Sequence, residues 1–216
     1  MTEHNPMDGD AGRSSRALLR ARAAALAELA RQPRAVPWWR DALSALLLIV
    51  ATTAMVMGIG AWLSIVELDR LRGRWLPLLL LVAVQVVGVF AAIAPGKTLM
   101  RWSAAMLAVS AAVAILVGRH GGAVSPLPGF ACSTSHVAVD LIPLALVLFY
   151  LRKFSATLGR SLLAGVAAAA TGAMAGELSC GRGWSHVLVH HIGAGAAIAI
   201  ACVLLSRVLA PQTLAP

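Results

Sequence analysis

From residue 42 onward the chain alternates between long apolar blocks and short loops rich in arginine. The blocks fall at about 42–66, 75–94, 101–118, 136–151, 159–177 and 186–206. About 20 apolar residues in a helix span the hydrocarbon core of a bilayer, and five of the blocks meet or approach that length. The fourth is short and needs a thinned or tilted setting. Backbone polar groups in lipid must be satisfied within the segment, so each block is expected to be helical. The pattern therefore predicts an all-α integral membrane bundle of six transmembrane helices (residues 38–210). A cytoplasmic N-terminal segment (1–37) precedes it and a short tail (211–216) follows. Within the N-terminal segment, SSRALLRARAAALAELARQ (14–32) reads as an amphipathic helix that Pro33 ends. Leu18, Ala25, Leu26 and Leu29 form its apolar stripe, beside Arg20, Arg22 and Arg31. Pro33 and Pro37 make a stiff connector to Trp38, Trp39 and Arg40, an interfacial anchor at the mouth of the first span.

Composition agrees. The chain is 59% hydrophobic and 12% charged, where a soluble domain carries about 25% charge. A net charge of +9 would suggest nucleic acid in a soluble protein. Here the basic residues flank the apolar blocks, so no direct nucleic-acid binding is expected. Thirteen Lys and Arg fall on the side of the N-terminus and five on the other. That bias places both termini in the cytoplasm of a bacterial inner-membrane protein. The first apolar run begins near Ala42 and is followed by more spans, which does not suit a cleaved signal peptide.

With this topology Cys132 and Cys180 share the outer face, in the second and third outer loops. An oxidising periplasm permits a disulfide between them, and thiolates also suit a soft metal. His120, His136, His186, His190 and His191 crowd the same face, with Asp140 and Glu177. His136 and Asp140 are four residues apart, as are His186 and His190, so each pair shares a helical face. The cluster fits two readings: a soft-metal site drawn from His120, His136, Asp140, Glu177, His186 and His190 with the cysteines, or a hydrogen-bonded polar rim joining the helix ends. Gly172 and Gly176 in the fifth block have the spacing that lets helices approach closely, and Gly58, Gly60, Gly193 and Gly195 could act likewise. Gln85 is the one strongly polar residue deep in the second block. The sequence contains no nucleotide-binding loop, nucleophile elbow, HExxH helix or CxxC pair, so no enzyme is expected.

Cys132 in GFACSTSH, and Cys180 in GELSCGRGW followed by HVLVHHIGAG, together with a short N-terminal helix and six spans, complete a recognisable layout. It resembles the six-span membrane anti-sigma factors of the NrsF type, and is CarR-like in plan. The likeness covers about residues 38–206. Gly181, Arg182 and Gly183 follow Cys180, where many such relatives carry Pro and acidic residues. The resemblance implies a negative regulator of transcription that holds an extracytoplasmic-function sigma factor at the membrane. A metal, oxidant or light stress at the outer face would release it. Cys132 and Cys180 would then sense the signal, and Leu18, Arg22, Ala25, Leu26 and Leu29 would bind the partner. The N-terminal helix also suits anionic lipid. Two other classes remain open on the residues: a small transporter or metal-handling protein, and a membrane thiol–disulfide protein.

Overall fold

The computed structural model describes residues 18–24, 26–27, 37–119, 129–154 and 156–209. The chain divides into two units, 1–36 and 37–216. In the first, the described residues 18–24 and 26–27 are helical, and Leu18, Leu19 and Leu26 are exposed. Ala25 and Leu29 lie outside the described residues.

The second unit contains six helices long and apolar enough to cross a membrane. They are α1 (Trp38–Trp62), α2 (Leu71–Ile93), α3 (Thr98–Val117), α4 (Gly129–Leu151), α5 (Leu158–Ser179) and α6 (Trp184–Val208). The expected all-α, six-span, multi-pass membrane architecture is the one observed. Large apolar side chains such as Leu47, Leu79, Val109, Phe149 and Leu204 are exposed on its flanks, where lipid would meet them.

The α5 helix is the axis, packed against α2, α4 and α6. It has the lowest hydropathy of the six, yet 78% of its apolar window is buried, against 17% for α3. Its sequence explains this. The run LLAGVAAAATGAMAG offers alanine and glycine on every side, and small residues let neighbouring backbones come close where lipid supplies no hydrophobic drive. The tightest approach is at Gly165. A Cβ there would lie 2.6 Å from the Ala199 Cα and 2.8 Å from the Cys202 Cβ of α6. At Gly88 of α2 a Cβ would lie 3.0 Å from that of Ala167. By contrast, nothing lies within 4 Å of a Cβ built at Gly58.

Polar groups at the middle of the bundle bond to one another. Gln85 Nε2 donates to Thr53 Oγ1 at 3.1 Å and to Thr171 Oγ1 at 3.0 Å, and the two hydroxyls lie 2.9 Å apart. This triad joins α1, α2 and α5. At the end of the bundle where α1 begins, the buried Arg160 donates to the carbonyls of Ala92 and Ile93 at 2.6 and 2.8 Å. It thereby satisfies acceptors left open where α2 ends. Trp38 packs edge-on against Phe90, and Lys153 pairs with Asp41 at 2.7 Å.

Two helix boundaries depart from the sequence reading. The short fourth block is a full 23-residue helix that begins at Gly129. Cys132 therefore sits in the first turn of α4 rather than in a loop. The hydroxyl-rich stretch continues the helix because its side chains find partners nearby. Thr134 Oγ1 donates to the Phe130 carbonyl at 2.9 Å and Ser135 Oγ to that of Cys132 at 3.0 Å. The first outer loop is also shorter than its charges suggest. A single 3₁₀ turn, Leu68–Arg70, leads directly into α2, and Glu67 accepts two bonds from Arg70, each 2.7 Å long.

Candidate functional site

The start of α4, the end of α5 and the start of α6 meet at one end of the bundle. Cys132 comes from the first of these, Cys180 from the residue that caps the second, and His186 and His191 from the third. Each residue offers one donor atom, sulfur or ring nitrogen, and the four atoms lie within 4.8 Å of one another. Cys180 and His191 are buried, and Cys132 and His186 partly so. All three cysteines of the chain are free thiols.

The backbone of α6 makes this grouping. Residues Leu188–Ile192 form a π-helical turn, and the Gly193 N–H donates to the Leu188 carbonyl, five residues back. In a regular α-helix, at about 100° per residue, position i+5 points well away from i. In the π turn it returns to the same side. His191 thus joins His186, with ring centroids 5.6 Å apart. Sequence periodicity pairs His186 with His190 instead. Those rings do lie close, tilted with centroids 4.6 Å apart, but His190 Nδ1 is engaged by Ser133 Oγ at 2.9 Å and is not one of the four.

Glycines make room for the imidazoles. A Cβ at Gly172 would collide with His136, one at Gly176 with His191, and one at Gly129 with His190. Gly172 and Gly176 are thus close-approach positions, as their spacing suggested, but they receive rings rather than a neighbouring backbone.

Two buried polar pairs flank the four residues. His136 Nε2 lies 3.1 Å from Asp140 Oδ2, and Asp140 Oδ1 accepts the Gly172 N–H at 2.7 Å. The His136 ring meets that of His191 edge-on at 5.7 Å. On the other side Glu177 Oε1 accepts from Arg119 Nη2 at 2.7 Å, with both side chains 3% exposed. Arg74 lies 3.9 Å from the second Glu177 oxygen. Arg119 Nη1 also donates to the Cys180 carbonyl and, at 3.3 Å, to that of Arg182. One guanidinium therefore fixes the backbone that presents Cys180. Arg182 Nη1 in turn reaches to 3.4 Å from His186 Nδ1.

The structure therefore groups Cys132, Cys180 and His186 and adds His191, which no pairing rule selected. It sets His136 and Asp140 beside them as a pair, commits Glu177 to Arg119, and turns His190 toward Ser133. His120 lies outside the described residues. Arg119 was expected only to orient the chain. Its role was readable only once α5 was known to bring Glu177 beside it.

No protein-family model matches the chain, and no solved structure does. Among curated proteins it is 35% identical over 224 residues to the carotenogenesis protein CarR of Myxococcus xanthus. That alignment takes in 98% of this chain and 99% of the relative. It covers nearly the whole of both proteins, which bears out the CarR-like plan: the chain belongs to the family of the carotenogenesis protein CarR.

Proposed function

We propose that this protein is a membrane anti-sigma factor of the bacterial inner membrane, a regulator and not an enzyme. Both termini lie in the cytoplasm. The N-terminal segment holds an extracytoplasmic-function sigma factor away from RNA polymerase, and a stress at the outer face releases it. The output includes carotenoid formation, the process for which the Myxococcus relative is named. The observation that carries the reading is the convergence of Cys132 and Cys180. Positions 48 residues apart on different helices have donor atoms within 4.8 Å, at one end of a membrane bundle. Closing or opening that contact, as a disulfide or around an ion, changes how α4, α5 and α6 meet. A packed bundle answers such a change by moving between discrete arrangements.

At the partner-binding end, Leu18 and Leu26 are exposed apolar side chains on a helix that also carries Arg20 and Arg22. Such a helix can lie in a groove of an acidic partner, with the leucines as anchors. A transporter is less well supported. The strongly polar groups at mid-depth, Thr53, Gln85 and Thr171, bond to one another.

The test is a pull-down of candidate sigma factors by the detergent-solubilised protein. The wild type should retain a sigma factor. Leu26→Glu/Leu29→Glu, and deletion of residues 1–32, should lose it while still inserting into membranes. An anchor seated in a groove typically contributes ~2 kcal/mol or more. Undiminished retention by the doubly substituted protein would move the binding site away from the N-terminal helix.

A further inference from the structure

We infer that Cys132, Cys180, His186 and His191 form a four-ligand site for a thiophilic divalent ion of the Zn²⁺ or Cd²⁺ type. The inference takes up the outer-face switch proposed above and rests on that reading only for its consequence in the cell. The site itself stands on geometry. Two sulfurs and two imidazoles are the donor set of a closed tetrahedral centre. Metal–sulfur bonds near 2.3 Å and metal–nitrogen bonds near 2.0 Å put tetrahedral donors roughly 3.3–3.8 Å apart. The donors here are within 4.8 Å, so side-chain rotations of about 1 Å would complete the shell.

Three further observations point the same way. His186 Nε2 and His191 Nε2 are buried nitrogens with no hydrogen-bond partner. Such orphans are costly unless something else takes them up. The π turn that brings His191 to His186 is a rare backbone choice that tends to mark functional sites. Finally, two thiolates balance a divalent charge. The loaded centre is neutral and tolerable at the edge of the membrane, where an unbalanced ion would be expensive. Around it, His136 packs on the His191 ring and is itself held by Asp140, while Arg119 fixes the backbone of Cys180. An ion held here clamps α4, α5 and α6 together. It selects against hard, oxygen-seeking cations such as Mg²⁺ and Ca²⁺.

The experiment titrates Cd²⁺ and Co²⁺ into the reduced, full-length protein in detergent. We expect one ion per chain, with a cadmium–thiolate charge-transfer band and, for Co²⁺, the intense visible bands of a tetrahedral thiolate complex. Cys132→Ser or Cys180→Ser should weaken binding and leave at most half of the charge-transfer band, and the double variant should abolish it. His186→Ala and His191→Ala should each weaken affinity by on the order of 100-fold, at the top of the 10–100-fold range caused by losing an outer-shell partner alone. His190→Ala should leave affinity unchanged, which separates the π-turn geometry from the regular helical one. The wild-type spectra do not depend on any variant folding. No binding by wild type with both thiols reduced, or an octahedral cobalt spectrum, would overturn the inference. So would affinity that falls for His190→Ala and not for His191→Ala. None of these readouts involves a sigma factor, so the site and the regulatory reading can fail separately.

Discussion

Replacing Arg119 with Met tests how Cys180 is held. Arg119 and Glu177 are each 3% exposed and meet at 2.7 Å, at the end of a bundle where little water reaches them. Removing one member of such a pair strands the other as a buried charge, at a cost of about 3–5 kcal/mol. Arg74, 3.9 Å from the far carboxylate oxygen and itself partly exposed, offsets only part of this. Arg119→Met should therefore destabilise the protein by about 3 kcal/mol. Adding Glu177→Gln removes the stranded charge, and the double variant should recover about 2 kcal/mol of the loss. The assay is unfolding of the detergent-solubilised protein by a denaturing detergent, followed by tryptophan fluorescence, for the wild type, both single variants and the double. Coupling of about 2 kcal/mol falls in the range for directly paired residues. The double variant should also bind Cd²⁺ more weakly than wild type even where its stability recovers, because nothing then fixes the Cys180 carbonyl. Additive single effects would refute the ion pair. Undiminished metal affinity in the double variant would refute the claim that Arg119 positions Cys180.

Further outcomes follow from other parts of the molecule. Gly165→Ala should destabilise by about 1–3 kcal/mol, the usual cost of overpacking, because its Cβ would press on Ala199 and Cys202. Gly58→Ala, in open space, should be neutral or stabilising by up to about 1 kcal/mol, and equal effects at the two sites in the same unfolding assay would contradict the packing described. A reporter fused after Pro216 or inserted within Arg152–Arg160 should behave as cytoplasmic, and one within Gly121–Pro128 as periplasmic, in a paired phosphatase and fluorescence assay. In cells, Cys132→Ser, Cys180→Ser and the double variant should share one induction phenotype, measured as signal-dependent target expression; partial effects that add would mean the thiols act separately.

The spans were legible because lipid imposes a demand that hydropathy records directly: α2, α3, α5 and α6 lie within a few residues of their sequence positions. The start of α4 was not. Cys132, Ser133, Thr134 and Ser135 look like a loop to any hydropathy measure, and only their bonds to Phe130, Cys132 and His190 show how a helix accommodates them. The candidate site was half visible. Cys132, Cys180, His186 and His191 could all be placed at one membrane face by counting spans. Choosing His191 over His190 as the partner of His186 required knowing that α6 leaves its α-helical phase between Leu188 and Ile192, and no residue pattern announces that. Spacing drew attention to Gly172 and Gly176, yet the closest backbone approach is at Gly165, whose own small neighbours at four-residue spacing, Ser161 and Ala169, do not stand out in so alanine-rich a helix and which is identified by what α6 puts opposite it.

Thr53, Gln85 and Thr171 grip one another near the midpoints of α1, α2 and α5, which run Trp38–Trp62, Leu71–Ile93 and Leu158–Ser179. The first half of α1 is held as well, by Ala42, Ala45 and Ile49 in the core, by Trp38 against Phe90 and by Asp41 paired with Lys153. A stiff helix gripped near its middle can pass a tilt from one end to the other. Its input arm reaches the cysteine-bearing end of the bundle, where the loop following α1 is tied to α5 by the Glu67 N–H donating to the Leu178 carbonyl, two residues before Cys180. Its output arm ends at Trp38, and the chain before it is the N-terminal segment. A sideways push on the loop would reach Trp38 only by shifting or breaking the Trp38–Phe90 and Asp41–Lys153 contacts there. Nothing need slide along the membrane normal, and the helix itself need not bend. Loosening the pivot, as Gln85→Leu would, should leave both ends intact and disconnect them.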